Sequence, residues 1–154
     1  RGLGDVYKRQ TLLGNTGTPT SPPSNSLLAA LPADLRAVMK AVTKYSDNTG
    51  GGSNTASYVT STTDYLFELA EFEYHGARTY ANSAEQNYQQ QYAYYQAGNS
   101  KIHYKHNATG TAARVWCRSV YAGYTTTFCL VTTDGSANNT NAYYSWGVAP
   151  GFAA

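Results

Sequence analysis

Residues Arg114–Gly135, R-V-W-C-R-S-V-Y-A-G-Y-T-T-T-F-C-L-V-T-T-D-G, decide the fold. Two runs dense in β-formers, Arg114–Tyr121 and Thr127–Thr133, are separated by a turn signal at Ala122-Gly123 and followed by a second at Asp134-Gly135. The pattern reads as antiparallel strands joined by tight connections. Cys117 and Cys129 flank the first turn and would face each other across a hairpin, which leaves open a cross-strand disulfide or two unbridged thiols. Shorter runs at Lys101–Lys105 and Gly147–Phe152 extend the β-rich half. Between Gly135 and Gly147, S-A-N-N-T-N-A-Y-Y-S-W is too rich in Asn and Ser for a strand and reads as a loop ending in exposed aromatics.

Upstream the periodicity changes. Leu35, Val38, Met39 and Val42 recur at helical spacing within Leu31–Tyr45, with Pro32 suited to a first turn, so this span is predicted as an amphipathic helix. Asp47–Thr63, built around Gly50-Gly51-Gly52, reads as a long exposed loop. Tyr65–Tyr74 alternates as a strand would, placing Glu71 and Glu73 on one side. Ser83 as N-cap, Gln86 three residues on, Tyr88, Tyr92 and Tyr95 along one face and Gly98 at the stop predict a second helix with a packed tyrosine face. Two helices early and several short strands late make the chain α+β.

A length of 154 residues holds about one domain. Residues 1–10 contain D-V-Y-K-R-Q, which resembles the translation of a transposon-derived sequencing adaptor and is set aside from the fold; on that reading a further N-terminal part precedes the domain. Residues 11–25, with T-P-T-S-P-P, read as a Pro/Thr/Ser linker, and 26–154 as the folded domain.

Charge narrows the function. Arg1, Lys8 and Arg9 against Asp5 supply the whole net charge of +2, leaving eight basic and eight acidic residues in the rest of the chain. A neutral body without a Lys/Arg run has no electrostatic footprint for a phosphate backbone, and no segment approaches a membrane span, so neither nucleic acid nor membrane insertion is expected. His103 and His106 in H-Y-K-H, with His75 distant, do not make a three- or four-ligand zinc set, and no metal or cofactor is expected. Glu71 and Glu73 are the one close carboxylate pair; on a strand they suit an ion pair with Arg118, whose guanidinium needs a partner if buried, better than acid–base catalysis.

Three segments taken in order, A-A-R-V-W-C-R-S-V at Ala112–Val120, F-C-L-V-T-T-D-G at Phe128–Gly135 and G-V-A-P-G-F at Gly147–Phe152, resemble an uncharacterised domain family of gut bacteria and their phages. Its signature reads W-W-x-R-S-P, F-C-x-V-x-x-x-G and G-V-x-P-x-F. L-P-A-D-L-R-A-V at Leu31–Val38 and L-F-E-L-A-E-F-E at Leu66–Glu73 extend the match, while Val115 and Val120 depart from it at a Trp and a Pro. The resemblance implies a C-type-lectin-like fold akin to the variable proteins of diversity-generating retroelements and to phage tail and adhesin tips. It further implies a constant frame of Trp116, Arg118, Phe128, Gly135 and Phe152, displaying Cys117, Tyr121, Tyr124, Thr126, Asn139, Asn141, Tyr143 and Tyr144, with Trp146 joining by proximity.

Tyr and Trp give rigid contact area at low entropy cost, and Asn, Ser and Thr give adaptable hydrogen bonds. The expectation is therefore a non-enzymatic domain on a virion tail or bacterial cell surface, binding a host cell-surface protein or glycan and able to form a homo-oligomer through its missing N-terminal region. Two alternatives are a formylglycine-generating-enzyme-like cysteine oxidoreductase using Cys117 and Cys129, and a structural tail-assembly domain.

Overall fold

The computed structural model describes residues 3–154, with side chains from residue 8 onward. Arg1, Gly2 and the side chains of residues 3–7 in the adaptor-like segment therefore lie outside the described residues. The chain is α+β, mostly short antiparallel strands with a few short helices.

The strands form small separate sheets. β1 (Val42–Asp47) pairs with β2 (Val59–Asp64) in unbroken register from Val42↔Asp64 to Asp47↔Val59. β3 (Phe67–Glu68) pairs with β9 (Pro150–Gly151), drawing the C-terminal segment back across the molecule, and Lys40 bridges Ala153 beside it. β4 (His103–Lys105) pairs with β5 (Ala108–Ala113). The decisive stretch forms the three-stranded sheet β6 (Val115–Val120), β7 (Thr127–Val131) and β8 (Ala137–Asn141), in that order.

Two apolar clusters hold these pieces. One gathers Tyr74, Ala81, Val115, Cys117, Cys129 and Val131 beneath the three-stranded sheet. The other gathers Leu13, Leu28, Met39 and Leu66. Leu13 belongs to α1 (Leu3–Leu13) and Leu28 to α2 (Leu27–Ala30). Residues 11–25, read as a linker, therefore carry packed groups, and so does the end of the segment set aside as adaptor-like, where Arg9 donates to the Arg118 carbonyl at 2.7 Å and Gln10 to Asp64 Oδ1 at 2.6 Å. The side chain of Asn15 accepts from the backbone N–H of Tyr65 and Leu66 and donates to the carbonyl of Leu66 at 2.7 Å. One amide side chain here satisfies three backbone groups that no strand would otherwise pair.

Several elements differ from their sequence reading. The first predicted helix shrinks to α3 (Ala33–Val38), because Lys40 donates to Ala153 and Val42 onward enters the β1–β2 ladder that β-branched and aromatic residues favour. That ladder also takes Val59–Asp64 out of the expected loop. Within Tyr65–Tyr74 only Phe67–Glu68 is strand. α4 (Glu71–His75) follows, started by Glu73 Oε2 accepting from Ala70 N–H and ended by Gly76 at φ +66°. The tyrosine-faced helix is absent. Ser83–Asn87 is a 3-10 turn whose N-cap is Asn82, and α5 is confined to Ala93–Gln96. Gln89 and Glu85 bond to the backbone of β1 instead, and these tertiary bonds override the helical spacing. Tyr88 and Tyr92 are consequently exposed, while Tyr95 packs on Tyr74 at 5.1 Å.

Candidate binding surface

β6 is the strand on which the site rests. Val115 and Cys117–Val120 are all buried, since Cys117 joins the apolar cluster while Arg118 faces the opposite side, toward β1, β3 and α4. There its guanidinium donates to Ser46 Oγ at 3.0 Å, the Glu68 carbonyl at 2.9 Å and Glu73 Oε1 at 2.8 Å, with a second short bond to Glu73 Oε2. Lys44 adds a second cation 3.5 Å from Glu73. Burial alone would raise the Glu73 carboxyl, but the bonds and charge of Arg118 outweigh it and hold the carboxyl below its usual value.

Glu71 plays a different part from the ion pair expected of it. Its carboxylate accepts from the backbone N–H groups of Thr79, Tyr80 and Ala81, at 3.0, 3.0 and 2.7 Å for the closest contacts. Sequence reasoning missed a second buried polar group around Glu85, which accepts from Asp47 N–H at 2.8 Å and Ser119 Oγ–H at 2.6 Å. Asp47 in turn accepts from Asn82 at 3.0 Å. The available signal was Glu85 itself, a single carboxylate in a Gln/Asn-rich segment.

At one end of the β6–β7–β8 sheet, two connections meet. The β6–β7 loop runs from Tyr121 to Thr126, and the segment after β8 carries Ala142 to Trp146. Ala142 N–H donates to the Thr126 carbonyl at 3.0 Å, Thr126 Oγ1 to Asn141 Oδ1 at 3.4 Å, and Asn141 Nδ2 to Tyr143 Oη at 3.2 Å. The asparagine-rich run expected as a loop is strand over Ala137–Asn141, because it pairs with the edge of β7 residue for residue, Thr127↔Asn141 to Val131↔Ala137. Only the aromatic tail beyond it is irregular.

That tail forms a ladder. Tyr143 and Tyr144 lie 4.6 Å apart between ring centroids, Tyr144 stacks on Trp146 at 5.7 Å, and the Arg114 guanidinium covers Trp146 at 4.9 Å. Tyr143 is 75% exposed and Tyr144 45%, and Tyr124 on the adjoining loop is 65% exposed. Tyr121 is half-buried between Tyr80 and Tyr124, at 5.7 and 5.6 Å. Its ring folds over Gly123, where a Cβ would sit 2.4 Å from the ring, so a side chain at this position would push the Tyr121 ring aside.

Thr126 is exposed, and Asn139 and Asn141 are half-buried on β8. Cys117 is not displayed. At 1% exposure it lies in the apolar cluster with Cys129 at 0%, no disulfide joins them, and burial, with the charge of Glu71, raises the Cys117 thiol well above its usual value. In the frame, Trp116 meets Phe128 edge-on at 6.1 Å, and Gly135 turns at φ +86°. Phe152 departs from its expected place, being 45% exposed, because β9 ends at Gly151 and releases it from the sheet.

Among the described residues, no three His, Cys, Asp or Glu side chains come together as a metal set, and no helix is long and apolar enough to cross a membrane. His103 instead meets Tyr74 Oη through Nε2 at 3.3 Å.

The model of a domain family of unknown function, DUF6273, matches residues 24–153. The chain belongs to that family. No curated protein and no solved structure matches it.

Proposed function

We propose that this DUF6273 domain is a non-enzymatic ligand- or receptor-binding module, of C-type-lectin-like fold, carried on a phage tail or bacterial surface protein. Its ligand is a host cell-surface protein or glycan. The observation that carries the reading is the exposed pair Tyr143–Tyr144, backed by the half-buried Trp146, with Tyr124 exposed on the β6–β7 loop, all joined by backbone and side-chain bonds to a three-stranded sheet. Exposed aromatics on a rigid support lose little entropy on binding, and contiguous exposed aromatic surface marks interaction sites.

The display residues fit a diversified site. Adenine-directed mutagenesis of AAC or AAT codons yields Tyr, Ser, Thr and Asp among other residues, and Thr126, Asn141, Tyr143 and Tyr144 occupy the end of the sheet, outside the buried core, while Asn139 lies half-buried on the edge strand β8. The oxidoreductase alternative gains no support from Cys117, whose buried, proton-retaining thiol is a poor nucleophile.

The test is attachment of the labelled domain to gut bacterial or host cells. Alanine at Tyr124, Tyr143 and Tyr144 together should abolish attachment while leaving the melting temperature within a few degrees. Attachment undiminished in that variant would refute the assignment.

A further inference from the structure

A second concave site lies away from the aromatic ladder. It is a groove of about 390 Å³ between β1 and the segment Tyr88–Gln96, at the small end of the range for ligand pockets. Tyr45 and Tyr88 form part of its wall as a parallel stack, with centroids 4.6 Å apart and an interplanar angle of 11°. Tyr88 remains 57% exposed. Tyr92 is held in place by Lys44 Nζ, which donates to its hydroxyl at 2.8 Å. The amides of Gln89, Gln90 and Gln96 also line the groove, those of Gln90 and Gln96 on exposed side chains. Gln89 donates to the Tyr45 carbonyl and to Glu85, yet its buried Oε1 has no hydrogen-bond partner among the described residues.

We propose that this groove is a binding site for a neutral saccharide of one or two rings. Its cations are engaged by the wall, Arg118 by Glu73 and Lys44 by Glu73 and the Tyr92 hydroxyl, and the two of them leave no excess negative charge to repel the oxygens of a hydroxyl-rich ligand. The lining is largely polar, which disfavours a hydrocarbon. What remains on offer is aromatic face and neutral amide. A pyranose presents the complementary pair, an apolar C–H face to lie on Tyr88 and a rim of hydroxyls that can donate to and accept from glutamine amides.

Saturation-transfer NMR on the full chain tests this with the methyl glycosides of glucose, galactose, mannose and N-acetylglucosamine. At least one glycoside should bind. Tyr88→Ala should weaken it at least tenfold, Tyr88→Phe should retain it because the stacking face is kept, and Tyr104→Ala, removing an exposed tyrosine elsewhere, should leave it unchanged. Gln90→Ala, on an exposed side chain, should weaken binding several-fold and keeps the test decisive if Tyr88→Ala lowers the melting temperature. Transfer to none of the four glycosides, or equal binding by wild type, Tyr88→Ala and Gln90→Ala, overturns the proposal.

Discussion

Both terminal nitrogens of Arg118 bond the carboxylate of Glu73, tying strand β6 to helix α4 across a sequence separation of 45 residues. The guanidinium is 2% exposed and the carboxylate residue 5%, so each is the other's counter-charge in a low-dielectric interior. Removing Glu73 leaves Arg118 buried without a carboxylate, and removing Arg118 leaves Glu73 buried with only the longer contact to Lys44 at 3.5 Å. Arg118→Ala should therefore destabilise the domain by about 3–5 kcal/mol in urea unfolding, whereas Arg118→Met combined with Glu73→Leu should recover most of that loss. A single variant costing under about 1 kcal/mol would show that the pair is not a structural tie.

Glu68 sets a pH dependence of the opposite sign from Glu73. Burial raises its carboxyl to about 7 against the opposing charges of Arg9 and Arg118, compared with an ordinary value of 4.5. The folded state thus holds this proton more tightly than the unfolded one. The Glu68 contribution is full below pH 4.5 and is lost as pH rises through 7, a change of about 3 kcal/mol at most. The Glu73 contribution runs the other way, present above the ordinary carboxyl value and lost as pH falls. In urea melts the stability of the wild type relative to Glu68→Gln should fall as pH rises from 5 to 8, so that the two pH profiles differ in slope over that window. An equal slope in the variant would contradict the assignment.

The two thiols should be inert in the native protein. Cys117 and Cys129 are 1% and 0% exposed, and the Cys117 thiol is raised by burial. Ellman's reagent at pH 8 should react slowly with the folded chain and promptly with two thiols in denaturant. Rapid native reaction of Cys117 would restore the display role that the resemblance implied for it.

Gly135 closes the β7–β8 turn at φ +86°, where a side chain is strained. Its neighbours Thr132, Asp134 and Ser136 are knitted by hydroxyl and backbone bonds, which hold the Asp134 carboxyl down at about 2. Gly135→Ala should cost about 1–2 kcal/mol. Because β8 carries the aromatic ladder, the same change should weaken cell attachment, and the two effects can be read separately by thermal melting and by binding.

Part of this was visible in the residues. β6 and β7 fall within one or two residues of the runs read from Arg114–Tyr121 and Thr127–Thr133, because β-branched and aromatic residues bounded by turn chemistry are a local signal. Tyr143 and Tyr144 face solvent, as two adjacent aromatics past a strand end tend to. The helices were read less well. Val42 and Tyr88 sit at helical spacing, but β1 pairs with β2 and its other edge is taken by Gln89 and Arg118, contacts that no local window contains.

The sequence by itself determined the α+β class, the turns and the composition of the display end, since each depends on neighbours along the chain. Tertiary structure alone decided that Glu71 would hold a backbone turn while Glu73 met Arg118, that Cys117 would face inward, and that an asparagine run would become strand β8. The physical reason is common to all three. A buried charge, thiol or backbone amide takes whatever partner the fold brings to it, and those partners lie 8 to 45 residues away for the glutamates and across the sheet for the asparagines.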